Sequence, residues 1–154
     1  MSAPAYLLDT GIVLLATRDS HASKVIDAQF ALSASSFRPA LCEVSVGELL
    51  AFANANHWRD KRKAALMGKL RTTLIIPISH PGVHQCWADM QSALQAAGVT
   101  VGQNDLWIAA TASVTGLTVL STDRDFGHLV TRGLAHAVVV DPKTGVLVPQ
   151  AAHG

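Results

Sequence analysis

Short apolar runs that resemble β-strands alternate along this chain with longer segments of helical periodicity. The predicted strands are Tyr6–Leu8, a piece near Phe37–Leu41, Leu74–Ile78, Leu117–Ser121 and Ala137–Val140. The predicted helices are Thr10–Thr17, Ser20–Leu32, Glu43–Asn56, Arg59–Arg71, Pro81–Ala97, Gln103–Thr115 and Asp125–Thr131. Because strands that are separated by helices usually pair in parallel, this order predicts an α/β fold with helices on both faces of a parallel sheet.

Length and composition predict a single domain. With 154 residues, of which 49% are hydrophobic and 15% charged, the chain is long enough to bury a sizeable core. We expect the domain to cover residues 1–148 and residues 149–154 to form a loose tail. Asp9 interrupts the apolar stretch Tyr6–Ala16, which argues against a secretory signal or a transmembrane helix. The sequence therefore predicts a cytoplasmic protein that is not associated with a membrane.

Four acidic residues stand at the edges of apolar segments, where a charge needs an explanation. Their contexts are YLLDTG, SVGELLAFA, NDLWIAATA and LSTDRDF, and the residues themselves are Asp9, Glu48, Asp105 and Asp123. Two of them follow predicted strands and two lie near the starts of predicted helices, so a parallel sheet could bring all four to one crevice. Clustered carboxylates repel one another unless a hard divalent cation with oxygen ligands, Mg²⁺ or Mn²⁺, neutralises them. The sequence therefore predicts a metal site.

Helix capping is a structural alternative for each acid. Asp9 could cap the helix after it, and Asp105 could lie in a first helical turn, where the helix dipole favours a carboxylate. Ser45 and Glu48 have the spacing of a capping box, and Asp123 could start the helix that follows it. Capping does not explain, however, why acids recur at positions that parallel α/β topology places together.

The ordered motifs YLLDTG, S-x-x-E within SVGEL, NDLWIAATA and STDRDF resemble those of the PIN-domain ribonucleases, and most of all the VapC-type toxins of bacterial toxin–antitoxin pairs. The resemblance covers nearly the whole chain. It implies a three-layer α/β/α sandwich with a mainly parallel sheet and Mg²⁺-dependent cleavage of single-stranded or loop RNA, tRNA included. It also implies two protein partners, a cognate antitoxin and a second copy of the chain in a homodimer.

The resemblance also assigns roles to individual residues. By motif match, the acids that hold the metal and carry catalysis are Asp9, Glu48, Asp105 and Asp123. The auxiliary and supporting residues are Asp125, Asn104 and Thr10. Gly11 departs from the family, in which Asn or Ser is more usual, and so removes a polar neighbour of the metal. Cations held by carboxylates can activate water for attack on phosphorus, which predicts products with a 5′-phosphate and a 3′-hydroxyl.

Charge is distributed unevenly. The chain carries only +1 overall, but residues 57–71 contain six basic residues and one acidic residue, a net +5, which leaves −4 for the rest. This basic segment is either a solvated helix face or a strip that follows the phosphates of a nucleic acid.

Other interpretations stay open at this level. Leu8-Asp9-Thr10-Gly11 resembles the active-site triplet of dimeric aspartic proteases, although that fold is nearly all β. A non-catalytic metal-binding module and an RNA-processing PIN nuclease outside any toxin pair are further alternatives. His80 and His84 have the spacing of a helical zinc pair, but Pro81-Gly82 between them indicates a turn. The three tryptophans, Trp58, Trp87 and Trp107, could stack on bases or belong to the core, and Trp107, two residues after Asp105, is the one to test.

Overall fold

Five parallel strands form the central sheet of the computed structural model, which describes residues 5–34 and 39–149. The strands are β1 (Tyr6–Leu8), β2 (Ala40–Cys42), β3 (Leu74–Ile76), β4 (Thr118–Ser121) and β5 (Ala137–Val139). Their order across the sheet is β3-β2-β1-β4-β5, and every neighbouring pair is parallel. The predicted parallel α/β sheet is confirmed.

Seven helices in the described ranges connect and follow these strands. They are α1 (Thr10–Ala16), α2 (His21–Phe30), α3 (Glu43–Ala55), α4 (Asp60–Arg71), α5 (Val83–Ala96), α6 (Gln103–Thr115) and α7 (Phe126–Thr131). Most bounds lie within one or two residues of those predicted. Ser20 and Arg59 prove to be N-caps rather than helical residues, because their backbones are extended. The second strand begins at Ala40, and Phe37 lies outside the described residues.

The helices cover both faces of the sheet because alternate strand residues point to opposite sides. Leu7 and Val119 belong to a core that they share with α5, α6 and α7. Leu8, Leu41 and Leu120 belong to a second core, shared with α1, α2, α3 and α4. Two cores on either side of one sheet make a three-layer α/β/α sandwich, as predicted.

The strand order creates a crevice at the carboxyl edge of the sheet. The chain leaves β1 towards β2 and β3, and later returns to the other side of β1 to form β4 and β5. The helix after β1 packs on one face of the sheet, whereas the helix after β4 packs on the other. Such a switch in direction is where ligands bind in open α/β sheets.

Three further predictions concern membrane association, the domain boundary and the location in the cell. In the ranges that the structure describes, no helix is long and apolar enough to cross a membrane. The division into a domain of residues 1–148 and a tail of residues 149–154 stays a prediction, since residues 150–154 lie outside those ranges. The cytoplasmic location also stays a prediction.

Candidate active site

Asp9 lies at the centre of the crevice, directly after β1. It is 6% exposed, and its backbone amide donates to the Leu120 carbonyl of the neighbouring strand at 2.9 Å. Its two carboxylate oxygens accept hydrogen bonds from the Thr10 amide at 2.7 Å and from the Ser121 hydroxyl at 2.6 Å. Burial raises the pKa of Asp9 above its ordinary value, and nearby Glu48 adds to this, although both hydrogen bonds oppose it.

The capping alternative for Asp9 is therefore correct but incomplete. Asp9 is the N-cap of α1, yet its side chain bonds only the adjacent Thr10 amide in that helix. Its other oxygen reaches across to Ser121 on β4, which helix capping does not require. The parallel α/β sheet also excludes the aspartic protease alternative, which needs a nearly all-β fold.

Glu48 reaches the same crevice from the second turn of α3. The Thr10 hydroxyl donates to its carboxylate at 3.0 Å, which links α3 to α1. The capping-box alternative for Glu48 is wrong, because α3 begins at Glu43 and its N-cap is Cys42. Ser45 is instead a buried residue within the helix, and its hydroxyl has no hydrogen-bond partner in the structure.

Asp105 lies in the first turn of α6, as the helix-dipole alternative predicted. A helix N-terminus favours an ionised carboxylate, but here the pKa of Asp105 is raised to about 7. The largest cause is burial, followed by the charges of Asp9, Asp123 and Glu48 and by a hydrogen bond with Asp123. The four predicted acids are therefore brought together closely enough for their charges to act on one side chain.

Asp123 enters the crevice from the loop after β4. Its amide donates to the Ser121 hydroxyl at 2.9 Å, and its carboxylate accepts the Asp125 amide at 2.9 Å. The Asp123 carbonyl also accepts the Phe126 amide at 3.4 Å, so Asp123 begins the turn that leads into α7, whose N-cap is Asp125. The structural alternative for Asp123 is therefore correct in part, and the carboxylate faces the crevice as well.

Ser121 is a site residue that the sequence analysis missed. It is fully buried at the end of β4, donates to Asp9 and accepts from the Asp123 amide. One hydroxyl thus holds two of the acids in register. A polar residue closing an otherwise apolar strand, in the run TVLS, was the available signal.

The three auxiliary residues behave differently from one another. Thr10 contacts two of the acids, through its amide to Asp9 and its hydroxyl to Glu48. Asp125 is exposed and joins the site through its backbone amide rather than its carboxylate. Asn104 is exposed beside Asp105 at the start of α6. Their roles towards a metal stay predictions.

The glycine at position 11 has a steric explanation that the sequence did not reveal. A Cβ atom added at Gly11 would collide with the hydroxyl of Thr122 in the loop after β4. The absence of a side chain therefore lets that loop approach α1 closely. The Asn or Ser that is usual in the family could not be accommodated here unless Thr122 moved.

The donor set fits a hard cation in its chemistry. Asp9, Glu48, Asp105 and Asp123 supply only carboxylate oxygens, the ligands that Mg²⁺ and Mn²⁺ prefer. As the side chains stand, no three His, Cys, Asp or Glu residues within 5–34 and 39–149 form a set that could hold a metal ion. Each of Asp9, Glu48 and Asp123 is instead turned towards a hydrogen-bond donor of the protein. Metal binding by this set would therefore require a rearrangement of the carboxylates relative to one another.

The zinc and base-stacking alternatives gain no support. His80 lies in the turn before α5 and its ring contacts the Pro81 carbonyl, while His84 packs edge-on against Trp107. Trp107 is also stacked on Trp87, with ring centroids 4.9 Å apart. Its ring packs between α5 and α6 rather than standing free beside the acids.

Comparison with known proteins identifies the family and supports the fold. The family model for the PIN domain matches residues 6–130 of the chain. A protein named Ribonuclease VapC4, from Mycobacterium tuberculosis, is 46% identical over 47 residues, which is 30% of this chain and 36% of that relative. The match thus spans little more than a third of the relative's length.

Two solved structures share the fold at low identity. VapBC2 from Rickettsia felis, bound to a promoter DNA fragment, gives a TM-score of 0.72 at 20% identity and covers 88% of this chain and 98% of that one. VapBC-5 from Mycobacterium tuberculosis, a member of the VapBC family of toxin–antitoxin systems, gives 0.66 at 24% identity, with 89% and 100% covered. The domain match extends over most of the chain and includes all four acids, and the chain therefore belongs to the PIN domain family.

Proposed function

We propose that this chain is a metal-dependent endoribonuclease and the toxin of a toxin–antitoxin pair. The observation that carries the proposal is the meeting of Asp9, Glu48, Asp105 and Asp123 at the carboxyl edge of the sheet, with a pKa of about 7 at Asp105. A protein gains no stability from crowding four carboxylates in this way, because their repulsion raises the free energy of the folded state. Perturbed acids in a crevice at a topological switch point are typical of a functional site.

The residues of the chain would hold the metal ion and keep its acidic ligands oriented. Asp9, Glu48, Asp105 and Asp123 would bind Mg²⁺ or Mn²⁺, which would supply activation of water and stabilisation of the leaving oxygen. The hydroxyl of Ser121 fixes Asp9 on one side and Thr10 fixes it on the other. No His or Cys nucleophile is required. We therefore expect RNA products that carry a 5′-phosphate and a 3′-hydroxyl, with single strands or loops, tRNA included, as substrates.

The toxin role is supported by the relatives. One is named a ribonuclease, and several of the similar structures are toxin–antitoxin complexes. We infer that this chain also has a cognate antitoxin and forms a homodimer. An arginine of the antitoxin would pair with Asp9 or Asp105 in place of the cation.

An apolar cavity offers room for such a partner. It has a volume of about 440 Å³ and lies between α1, α2 and α4, beside the second core. Leu8 and Ile12, on either side of Asp9 in sequence, line it, whereas none of the four acids does. A partner segment that filled this cavity with apolar side chains could also reach the acids.

A matched pair of substitutions on α3 tests the nuclease activity. Glu48→Gln removes a charge from the crevice, whereas Glu43→Gln removes a charge five residues earlier, where the carboxylate only accepts the Ile78 amide at 2.9 Å. We expect Mg²⁺-dependent cleavage of single-stranded RNA by the wild type and by Glu43→Gln, orders of magnitude less by Glu48→Gln, and none in EDTA. Equal cleavage by both variants would contradict the proposal and favour a non-catalytic binding module.

Expression in bacteria tests the toxin role separately. We expect growth arrest when the wild-type chain is produced alone, relief when the product of the neighbouring gene is produced with it, and no arrest with Glu48→Gln. Harmless production of an active nuclease would favour an RNA-processing enzyme instead.

A further inference from the structure

The turn between α3 and α4 concentrates positive charge. We call residues 56–62 the α3–α4 corner; it includes Arg59, Lys61 and Arg62, all exposed. In the portion of the chain that the structure describes, the one ion pair joins Lys24 to Asp19, far from this corner in sequence. Within the described ranges no carboxylate forms an ion pair with the basic side chains of the corner, although Asp60 lies among them in sequence.

One of these cations is held in place by an aromatic ring. The guanidinium of Arg62 lies 3.7 Å from the ring centroid of Trp58, which is itself only 7% exposed. Phe52 packs edge-on against Trp58, with centroids 6.0 Å apart. Stacking on a rigid ring restricts the guanidinium but leaves its N–H edge free to donate, so less entropy is lost when it binds an anion.

A shallow cleft of about 520 Å³ opens beside this stack. Its charged and polar lining comes from His57, Arg59, Lys61 and Arg62, and Trp58 also lines it. Because the Arg62 guanidinium covers the Trp58 ring, the cleft offers a ligand cationic side chains rather than an open aromatic face, which suits a polyanion.

His57 occupies a position that favours glycine. Its φ is 53°, and the amides of His57 and Trp58 bond back to the Asn54 and Ala53 carbonyls at 3.1 and 2.9 Å. This is the Schellman ending of a helix, in which glycine is the usual left-handed residue. Here the left-handed residue is a histidine, and its side chain lines the cleft. Backbone strain of this kind is often found where a side chain has a function.

The corner and the acidic crevice lie along the same helix. Glu48 and Phe52 are one turn apart on α3 and share a face, and Phe52 contacts Trp58. With a rise of 1.5 Å per residue, the seven steps from Glu48 to Ala55 span about 10 Å. A strand of a few nucleotides could therefore reach from the crevice to the corner.

We propose that the α3–α4 corner binds the phosphodiester backbone of the RNA strand whose scissile phosphate enters the acidic crevice. The inference rests on the proposed function and adds the part of the protein that holds the polyanion. Four carboxylates repel RNA, so a nearby cationic surface is needed to keep the strand in place. Arg62 and His57 are positioning residues in this scheme and take no part in the chemistry.

Binding can be measured without cleavage. Fluorescence anisotropy with a short oligouridine in EDTA should show weaker binding for Lys61→Gln/Arg62→Gln, and the slope of log affinity against log salt should fall by roughly 0.7 for each phosphate that the variant no longer neutralises. Arg132→Gln is the matched control, because Arg132 is exposed after α7, on the opposite face of the sheet. Unchanged affinity and slope in the double variant would overturn the inference, as would an equal loss of affinity in Arg132→Gln.

His57→Gly separates binding from folding. Glycine relieves the left-handed strain, so this variant should melt at or above the wild-type temperature while binding oligouridine less tightly. Unchanged affinity would exclude His57 from the proposed surface. Because the variant should fold at least as well as wild type, weaker binding could not be attributed to unfolding.

Cleavage kinetics distinguish this inference from the proposed function. With Mg²⁺, Lys61→Gln/Arg62→Gln should raise KM several-fold with kcat close to wild type. If Glu48→Gln is inactive but the double variant has wild-type KM, the nuclease stands and the corner does not bind RNA. If the double variant instead loses only its binding to the antitoxin, the corner is a protein interface and the inference is wrong.

Discussion

Acidic residues follow both the central and the flanking strands of the sheet, but only the central ones belong to the crevice. Asp9 and Asp123 come after β1 and β4, and Glu43 and Asp141 come after β2 and β5. Asp141 accepts the amides of Lys143 and Thr144 at 2.7 and 3.1 Å, which holds its pKa below the ordinary value. Burial holds the pKa of Asp9 above it.

The difference lies in what surrounds each carboxylate rather than in its place in the sequence. Asp141 is solvated and its turn supplies donors, so the charged form is favoured. Glu43 is likewise used by the fold, through the Ile78 amide. Asp9 and Asp105 instead lie largely out of solvent near other acids, so their charged forms are disfavoured. The two flanking acids are matched by backbone donors alone, whereas Asp9 and Asp105 are also subject to the charges of neighbouring acids.

The largest expected effect is on cleavage. Asp9→Asn should keep the fold, because the amide oxygen can still accept from Thr10, but should lose Mg²⁺-dependent RNA cleavage by orders of magnitude. Asp141→Asn, the flanking counterpart, should cleave like wild type. Assays should use single-stranded RNA at neutral pH and detect the 5′-phosphate of the product. Comparable losses in both variants would remove the distinction between central and flanking acids.

The second prediction concerns stabilisation by metal. Asp105→Asn relieves repulsion, so in EDTA it should melt at or above the wild-type temperature. It should also lose most of the increase in melting temperature that Mg²⁺ gives the wild type. Asp141→Asn should keep that increase. The idea fails if Mg²⁺ shifts the melting temperatures of all three proteins equally.

The third prediction is a pH dependence of opposite sign in the two regions. The pKa of Asp105 is raised to about 7, so its contribution to stability is full below its unfolded pKa of about 4 and is lost as pH rises towards 7. In EDTA, the stability of Asp105→Asn relative to wild type should increase over that range and no further above it. Asp141, whose pKa is lowered, should stabilise above about pH 4 and lose its effect as pH falls. Denaturant unfolding at several pH values would measure both, and a constant difference between Asp105→Asn and wild type would contradict the first.

The smallest expected effect compares two serine–aspartate hydrogen bonds. Ser121→Ala leaves a buried oxygen of Asp9 without its donor and should cost about 1–3 kcal/mol of unfolding free energy in Mg²⁺-free buffer. Ser33→Ala removes a similar bond to Asp27 on an exposed surface and should change it by less than about 0.5 kcal/mol. Urea denaturation measures both. Equal costs would mean that burial does not distinguish the two sites.

The sequence predicted the fold well because local signals agreed with the final packing. Leu7 and Leu8 alternate between two cores, and Gly116, in a left-handed conformation, ends α6 where expected. The candidate site was harder to predict. The spacing of Ser45 and Glu48 fits a capping box as well as a crevice, and only the start of α3 at Glu43 decides between them.

Long-range contacts account for what was missed. Ser121 is separated from Asp9 by 112 positions, so nothing local in the sequence marks their hydrogen bond. The collision that Thr122 would make with a side chain at Gly11 likewise depends on the packing of the loop after β4 against α1. Patterns in the sequence report the neighbours of a residue along the chain, and these two features depend on neighbours across the sheet.

The four acids come from four separate elements, and this has a consequence for how the protein is made. β1 can place Asp9 beside Ser121 only after β4 has been synthesised and has paired with it. Contacts between such distant segments form late because the intervening chain must first be ordered. A chain still being synthesised, or one cut between α3 and α6, would therefore lack the assembled crevice. The nuclease activity proposed for this crevice would therefore appear only after β4 and the loop that carries Asp123 have been made and have packed against β1.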